Sequence, residues 1–485
     1  MDFTELKLKS ELRQTLSRMN YTTLTPIQER CIPPLLAGES LIAQSRTGSG
    51  KTLAYALPLL EKIRFETFLP QALILVPTRE LALQVKQTLD NVGMYCRTRH
   101  LLLIGRQPFR FQREDLKQRT HVIIATPGRL LQHMQEGTVD LSGLSMLVID
   151  EADEMFRLGF RKSLNAILHR LPAPLQRACF SATYPDSVTD FLQEHFADVP
   201  RLMQPRQQLP VQLKQHFMKV SPQARLAVLP DVLASFPLRR CIMFVNTIET
   251  ADFLCGTLQK SGILCDTLHG AMMQEERFNA LQAFRDGTLR MLIATNVAAR
   301  GLDIPNVSLI LNYDFPLNAE IYIHRVGRSA RMEAEGAALS FLTPRDQEVY
   351  RQLRADFPGL EDPEWAPDPQ WHDQLTQPLP KEEKREDALR AEKMKLCVFA
   401  GKSRKLRPGD LVGAICGIDG VTAEDIGVID IQEHHAFVEI LHGKGGTVLQ
   451  ALQTRTIKNR KIKVEEARSS RRPSGLRKTK GYDNS

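Results

Sequence analysis

At 485 residues, 42% hydrophobic and 25% charged, the chain is long enough for about three domains of ~100–200 residues each, with ordinary cores. No apolar stretch is long enough to span a bilayer, and Met1-Asp2-Phe3-Thr4-Glu5 lacks the basic-then-apolar order of a signal peptide, so we expect a cytoplasmic protein with no membrane partner. The net charge of +8 lies wholly in residues 393–485, which hold 18 Lys and Arg against 10 Asp and Glu while residues 1–392 hold 46 of each sign; a neutral body with a basic appendage points to a polyanionic partner.

In chain order, short apolar runs alternate with helical patterns. Leu41-Ile42-Ala43, Ala72 to Val76, Val122 to Ala125, Met146 to Ile149 and Arg177 to Phe180 read as strands that each run into a polar motif, which is where a parallel α/β sheet carries its chemistry. Gly48-Ser49-Gly50-Lys51-Thr52 follows the first strand. Its backbone N–H groups and lysine suit phosphates, and its threonine hydroxyl suits Mg²⁺. Asp150-Glu151-Ala152-Asp153 follows the fourth, with Asp150 at the strand tip for the same Mg²⁺ and Glu151 placed to polarise water. Together these strings predict a nucleotide triphosphatase. A second set of strands, Cys241 to Val245, Met291 to Ala294, Leu309 to Leu311 and Ala337 to Phe341, predicts a second α/β domain without a phosphate loop, so one nucleotide would sit between two domains. Eight cysteines scattered from Cys31 to Cys416, without a CxxC pair, read as buried reduced thiols.

Thr25-Pro26-Ile27-Gln28, the two strings above, Ser181-Ala182-Thr183, Thr295 to Asp303 and His324-Arg325-Val326-Gly327-Arg328-Ser329-Ala330-Arg331 come in an order that resembles the DEAD-box RNA helicases over most of residues 1–350. The resemblance implies two RecA-like parallel-sheet domains in tandem, ATP with Mg²⁺, and an RNA-stimulated ATPase. It places Gln28 and Thr25 at the adenine with Tyr21 stacked on the ring, and Ser45, Thr47, Gly48, Ser49, Gly50 and Lys51 around the phosphates. Thr52 and Asp150 would hold Mg²⁺, Glu151 the attacking water, Arg328 and Arg331 the transferring phosphoryl charge, and Asp303 the ribose. Asp153, Ser181, Thr183, His324 and Arg325 would couple nucleotide state to strand separation. Pro77, Thr78, Arg79, Gly105, Thr126, Gly128 and Arg129, with His269, Gly270, Gln274, Arg277, Thr295 and Arg300, would grip an RNA backbone without reading bases. The chain departs from the pattern at Asn20 and Arg106, where glycine is usual, and at Leu24, Ser45, Asn296 and Ser329-Ala330; modest effects on nucleotide affinity and RNA grip are expected.

Six prolines from Pro358 to Pro380 and both tryptophans mark a linker, and Lys381 to Lys395 reads as a short charged helix. Beyond it, strands at Leu396 to Phe399, Ile426 to Ile431, Ala436 to Ile440 and Lys461 to Val464, with helices near Pro408 and from Thr447 to Gln453, give the βαββαβ order of a four-stranded RNA-recognition fold. Lys405-Leu406-Arg407-Pro408-Gly409-Asp410 resembles the C-terminal RNA-binding domain of the DbpA-type proteins. Cys397, Ile440 and His435 stand where stacking rings would sit, so the basic loops (Lys402, Arg404, Lys405 and Arg407, with Lys458, Arg460, Lys461 and Lys463) are the expected RNA contacts, a protein-docking role being the alternative.

The expected division is therefore 1–205 and 206–355 for the two RecA-like domains, 356–392 for the linker and short helix, 393–467 for a small α+β RRM-like domain, and 468–485 for a basic tail. The expected function is local unwinding of short duplexes by a monomer in structured RNA, which the resemblance extends to large-subunit ribosomal RNA during ribosome assembly. An ATP-gated RNA clamp and a DNA-directed motor of the same superfamily are the rival readings.

Overall fold

The computed structural model describes residues 1–44, 49–202, 213–295, 307–327, 336–357, 360, 364–372, 374–379, 392–458 and 460–467. The chain divides into two compact units, the first carrying two parallel sheets and the second an antiparallel one.

The first sheet holds β1 (Leu41–Gln44), β2 (Ala72–Leu75), β3 (His100–Leu103), β4 (Val122–Ala125), β5 (Met146–Asp150), β6 (Gln176–Ser181) and β7 (Arg201–Leu202), in spatial order β3-β4-β2-β5-β6-β1-β7 with every pairing parallel. Parallel strands are covered by helices on both faces, so their residues are apolar without alternation, and β2 and β4 are buried throughout. β1 and β5 end beside each other's motifs because only β6 separates them.

The second sheet holds β8 (Leu213–Lys219), β9 (Cys241–Val245), β10 (Cys265–Leu268), β11 (Met291–Thr295), β12 (Leu309–Asn312) and β13 (Gly336–Leu342), ordered β10-β11-β9-β12-β13-β8 and again wholly parallel. The period-2 alternation of β9 divides its side chains between two cores: Ile242 and Phe244 pack with Phe217, Phe284 and Tyr322, and Cys241, Met243 and Val245 with Leu254, Leu258 and Phe341. The proline-rich stretch is bound to this domain. The Trp365 ring stacks on Phe236 at 5.4 Å, Leu264 N–H donates to Leu375 O at 2.9 Å, and Leu379 N–H donates to Gly287 O at 2.9 Å.

The second unit contains β14 (Met394–Val398), β15 (Ile426–Ile431), β16 (Ala436–Ile440) and β17 (Val464–Glu466) in antiparallel order β15-β16-β14-β17, with helices Pro408–Cys416 and Gly445–Thr454 packed on one face. This is the expected βαββαβ layout, and the three-domain fold class holds. Three sequence expectations are corrected. Met394 and Lys395 belong to β14 and not to a charged helix, of whose remaining residues Glu392 is helical, Lys393 is not, and 381–391 lie outside the described residues; the last strand begins at Val464, because Val398 pairs there. Ile440 is not on the open sheet face: it shares the inward parity of Val438 and is fully buried.

Candidate nucleotide and RNA site

The helix Lys51–Lys62 starts directly after the glycine turn, with Gly50 at φ 91° supplying the left-handed residue that lets the chain enter it. Lys51 is 6% exposed, its Nζ lies 3.7 Å from Asp150 Oδ1, and neither atom has a hydrogen-bond partner among the described residues. One turn further on the same helix face, Tyr55 donates to Asp150 Oδ2 at 2.9 Å. Burial, reinforced by Asp150, raises the Tyr55 phenol well above its usual range, so it remains a donor. An ammonium and a carboxylate oxygen buried at ion-pair distance but lacking hydrogen bonds among the described residues carry a desolvation cost that their mutual attraction offsets only in part. That pair suits a phosphate oxygen and a divalent cation. Glu151, 7% exposed, occupies the left-handed region at φ 54°, a strained turn at the end of β5.

The adenine-motif residues are tied to the phosphate loop. Gln28 Oε1 accepts from Thr25 N–H at 2.9 Å, Gln28 Nε2 donates to Gly50 O at 3.1 Å, and Thr25 Oγ1 donates to Ser49 O at 2.8 Å. An amide carries two donors and two lone pairs, so Gln28 retains one of each for a ligand. Tyr21 lies half-buried, 5.8 Å from the Phe3 ring. Asn20 and Arg106, the two departures at usual glycine positions, have φ 52° and 59°. Glycine adopts that region without strain, asparagine tolerates it, and arginine does so at a cost of roughly 1–2 kcal/mol.

Asp153 and the Ser181 segment form one network. Asp153 N–H donates to Ser181 Oγ at 3.1 Å, Thr183 N–H and Oγ1 donate to Asp153 Oδ2 at 2.9 and 2.8 Å, and Ser181 Oγ donates to Thr183 O at 2.7 Å. In the second sheet domain Arg325 is 2% exposed, donating to Asn312 Oδ1 at 3.0 Å, Asp314 O at 2.7 Å and Asn246 Oδ1 at 2.8 Å, with Phe244 beneath its guanidinium at 5.1 Å. His324 precedes it on the helix Ala319–Val326. Ser45, Thr47, Gly48, Arg300, Asp303, Arg328 and Arg331 lie outside the described residues.

The expected RNA residues of the first unit cluster at strand ends. Thr78 Oγ1 caps the helix Arg79–Val92 by accepting from Leu81 N–H at 3.2 Å, and Arg129 donates to Gln107 O and Gln112 Oε1, both at 2.9 Å. Burial lowers the Arg79 pKa; Glu80 opposes the shift, and the guanidiniums of Arg106, Arg277 and Arg129 add to it. Arg277 reaches Glu80 at 3.4 Å. A Cβ built on Gly105, Gly128 or Gly270 would meet nothing within 4 Å, so all three glycines face open space. Pro77, Thr126 and Thr295 are buried, and the Gln274 side chain is outside what is described.

In the second unit Lys402, Arg404, Lys405 and Arg407 are all exposed on the loop between β14 and the helix Pro408–Cys416. Lys402 N–H and Ser403 N–H donate to Gln432 O and Glu433 O at 2.9 Å, which anchors the loop, and Lys458 Nζ donates to Lys405 O at 2.9 Å. A Cβ on Gly401 would lie 2.2 Å from Gln432 O, so the anchor requires glycine. The open sheet face carries Phe437 opposite Cys397 and Asp430, with Lys395 over its ring at 5.1 Å, and Glu439 and Glu465 nearby on the ladder. Phe437 and Tyr55 were both missed in the sequence. Tyr55 was findable from its i+4 spacing to Lys51.

Residues 25–191 match the DEAD/DEAH box helicase family, 224–333 the helicase conserved C-terminal domain and 395–466 the DbpA RNA binding domain. Over 96% of its length the chain is 37% identical to ATP-dependent RNA helicase DbpA of Bacillus subtilis (strain 168), spanning 99% of that protein; over 93% it is 35% identical to its Escherichia coli (strain K12) namesake, spanning 95%. A structure of S. cerevisiae Dbp5 bound to RNA and ADP BeF3 matches with a TM-score of 0.68 at 31% identity, covering 74% of this chain and 94% of that one. Tandem parallel-sheet domains, the phosphate-loop lysine beside paired carboxylates and an RNA-binding appendage define an RNA-stimulated ATPase and helicase. The chain belongs to the DEAD-box ATP-dependent RNA helicases, with a C-terminal domain of the DbpA type.

Proposed function

We propose that the enzyme locally unwinds short duplexes in structured RNA of the large ribosomal subunit during ribosome assembly, as a cytoplasmic monomer anchored by its C-terminal domain. The observation that carries this reading is the likeness to DbpA proteins over nearly the whole chain, RNA-binding domain included, together with four exposed cations on one anchored loop. Domain limits near 205, 355, 392 and 467 follow from the same reading.

In this scheme Lys51 binds the terminal phosphates, Thr52 and Asp150 hold Mg²⁺, and Tyr55 fixes the Asp150 carboxylate. When bound, Mg²⁺ neutralises phosphate charge. Glu151 orients the attacking water and accepts its proton, and Arg328 and Arg331 complete the site from the second domain, so turnover depends on domain alignment. Gln28 carries the adenine preference with its spare donor and acceptor. Arg79, Arg129 and Arg277, with the open glycines, hold the RNA backbone, and the Asp153–Thr183 network relays nucleotide state. Specificity falls to Lys402, Arg404, Lys405 and Arg407, since the motor's contacts read no bases.

The test is ATPase stimulation by ribosomal RNA against an equal mass of unstructured polymer. Full-length protein should prefer ribosomal RNA, and joint Lys405→Glu and Arg407→Glu changes should erase the preference while leaving maximal turnover on saturating polymer. Equal stimulation of the unaltered protein by both RNAs would remove the anchoring role and favour a protein-docking C-terminal domain.

A further inference from the structure

Cysteine spacing suggests isolated thiols, but the fold brings two of them together. Cys255 lies on the helix Ile248–Lys260 and Cys265 opens β10, the edge strand of the second sheet. The turn between them, with Gly262 at φ 81°, returns the chain so that the two Sγ atoms are 3.9 Å apart, and Cys265 Sγ also lies 3.7 Å from Cys255 O. Both side chains are buried, Cys255 at 6% exposure and Cys265 at 3%, within a core that includes Leu254, Leu258 and Met291.

We propose that Cys255 and Cys265 form an oxidation site, a vicinal dithiol that small peroxides convert to an intramolecular disulfide. A disulfide requires an S–S separation of ~2.05 Å, so the sulfurs must close by roughly 2 Å from their 3.9 Å contact. The Sγ–Sγ contact lets either thiol act first: one displaces water from hydrogen peroxide to become a sulfenic acid, and the other then attacks that sulfur and releases a second water. Two thiols and one peroxide give one disulfide and two waters. The bond would tie β10, which runs directly into His269-Gly270, to the helix behind it.

The test uses the reduced full chain exposed to hydrogen peroxide, blocked with a maleimide and mapped by peptide mass spectrometry. The expected result is loss of two of the eight titratable thiols, a mass lower by two hydrogens, and one crosslinked peptide pair containing Cys255 and Cys265. In Cys255→Ser and in Cys265→Ser the crosslink should vanish, and a sulfenic acid on the remaining cysteine should be trapped by dimedone. Retention of all eight thiols in the unaltered chain, or a crosslink mapping to other cysteines, would overturn the proposal, and neither outcome depends on a variant folding.

Discussion

Asp153 offers the most quantitative test of the site. Its Oδ2 accepts two hydrogen bonds from Thr183, from the backbone N–H at 2.9 Å and the hydroxyl at 2.8 Å, and the carboxylate is 8% exposed. Buried hydrogen bonds to an ionised acceptor contribute ~1.5–3 kcal/mol each, and an orphaned donor keeps its desolvation cost. Asp153→Ala removes the acceptor of both Thr183 donors, and of Glu154 N–H at 3.0 Å from Oδ1, and should cost at least about 3 kcal/mol, whereas Thr183→Val removes the hydroxyl alone and should cost about 1.5 kcal/mol. Once Asp153 is absent the hydroxyl has lost that acceptor, so the double variant should cost the same as Asp153→Ala alone, a coupling of about 1.5 kcal/mol. Urea unfolding of the four proteins, followed by a probe in the first sheet domain, measures this cycle. The same variants should hydrolyse more ATP per duplex opened, because the network joins the acidic motif to the Ser181 segment. Additivity within ~0.5 kcal/mol would show that the contact is energetically idle and refute the reasoning.

Gly50→Ala should weaken ATP binding at least ~10-fold, or about 1.4 kcal/mol, because its Cβ would sit 2.4 Å from Gln28 Nε2 at a backbone φ of 91°; titration with a fluorescent ATP analogue checks this, and unchanged affinity would count against the Gln28–loop tie. Arg106→Gly relieves a residue at φ 59° and should leave stability equal or up to ~1 kcal/mol higher, while reducing the salt dependence of RNA binding by about 0.7 in log–log slope; an unchanged slope would place Arg106 off the RNA. Burial, assisted by Arg129, holds His133 down to about 4 from its ordinary 6.5, so the unfolded chain binds the proton first. The stability contributed by neutral His133 is complete above pH 6.5 and lost as pH falls towards about 4; His133→Gln should flatten chemical denaturation midpoints across that window.

How much of the fold could be read from sequence depended on where each strand sits. Central strands β2, β4, β5, β9 and β11 are covered on both faces, so burial forces apolar runs that stand out without an alignment. The strands that were not foreseen lie at edges. β3, β8 and β10 each flank a sheet on one side only, and their sequences His100-Leu101-Leu102-Leu103, Leu213-Lys214-Gln215-His216-Phe217-Met218-Lys219 and Cys265-Asp266-Thr267-Leu268 mix polar residues into the pattern. His100 is acceptable there only because Asp90 at 2.8 Å and Thr98 at 2.8 Å satisfy its ring. The C-terminal sheet shows the other failure. Ile440 and Phe437 differ by three residues and so by parity, and a one-residue error in register exchanges the inner and outer faces. The pairings of Met394 with Ile440 and Cys397 with Phe437 decide it.

At the site, the strings located the atoms but not the bonds between them. Lys51, Asp150 and Glu151 are legible because a phosphate loop and a strand-end acid pair are local patterns. The Gln28–Gly50, Thr25–Ser49 and Asp153–Thr183 hydrogen bonds join segments 22 to 30 residues apart, and no local pattern encodes them. The left-handed residues give a different lesson. Asn20 and Arg106 depart from glycine at positions where the backbone still requires φ above 50°, so the conformation is held by its surroundings and the side chain is free to change at a modest cost. For asparagine that cost is small; for arginine it is not, and Arg106 lies close enough to Arg79 to help lower its pKa. A cation kept under strain beside other cations is unfavourable for the isolated chain on both counts. A bound sugar–phosphate backbone would reverse the second term, so the strained arginine is compatible with the RNA surface proposed above.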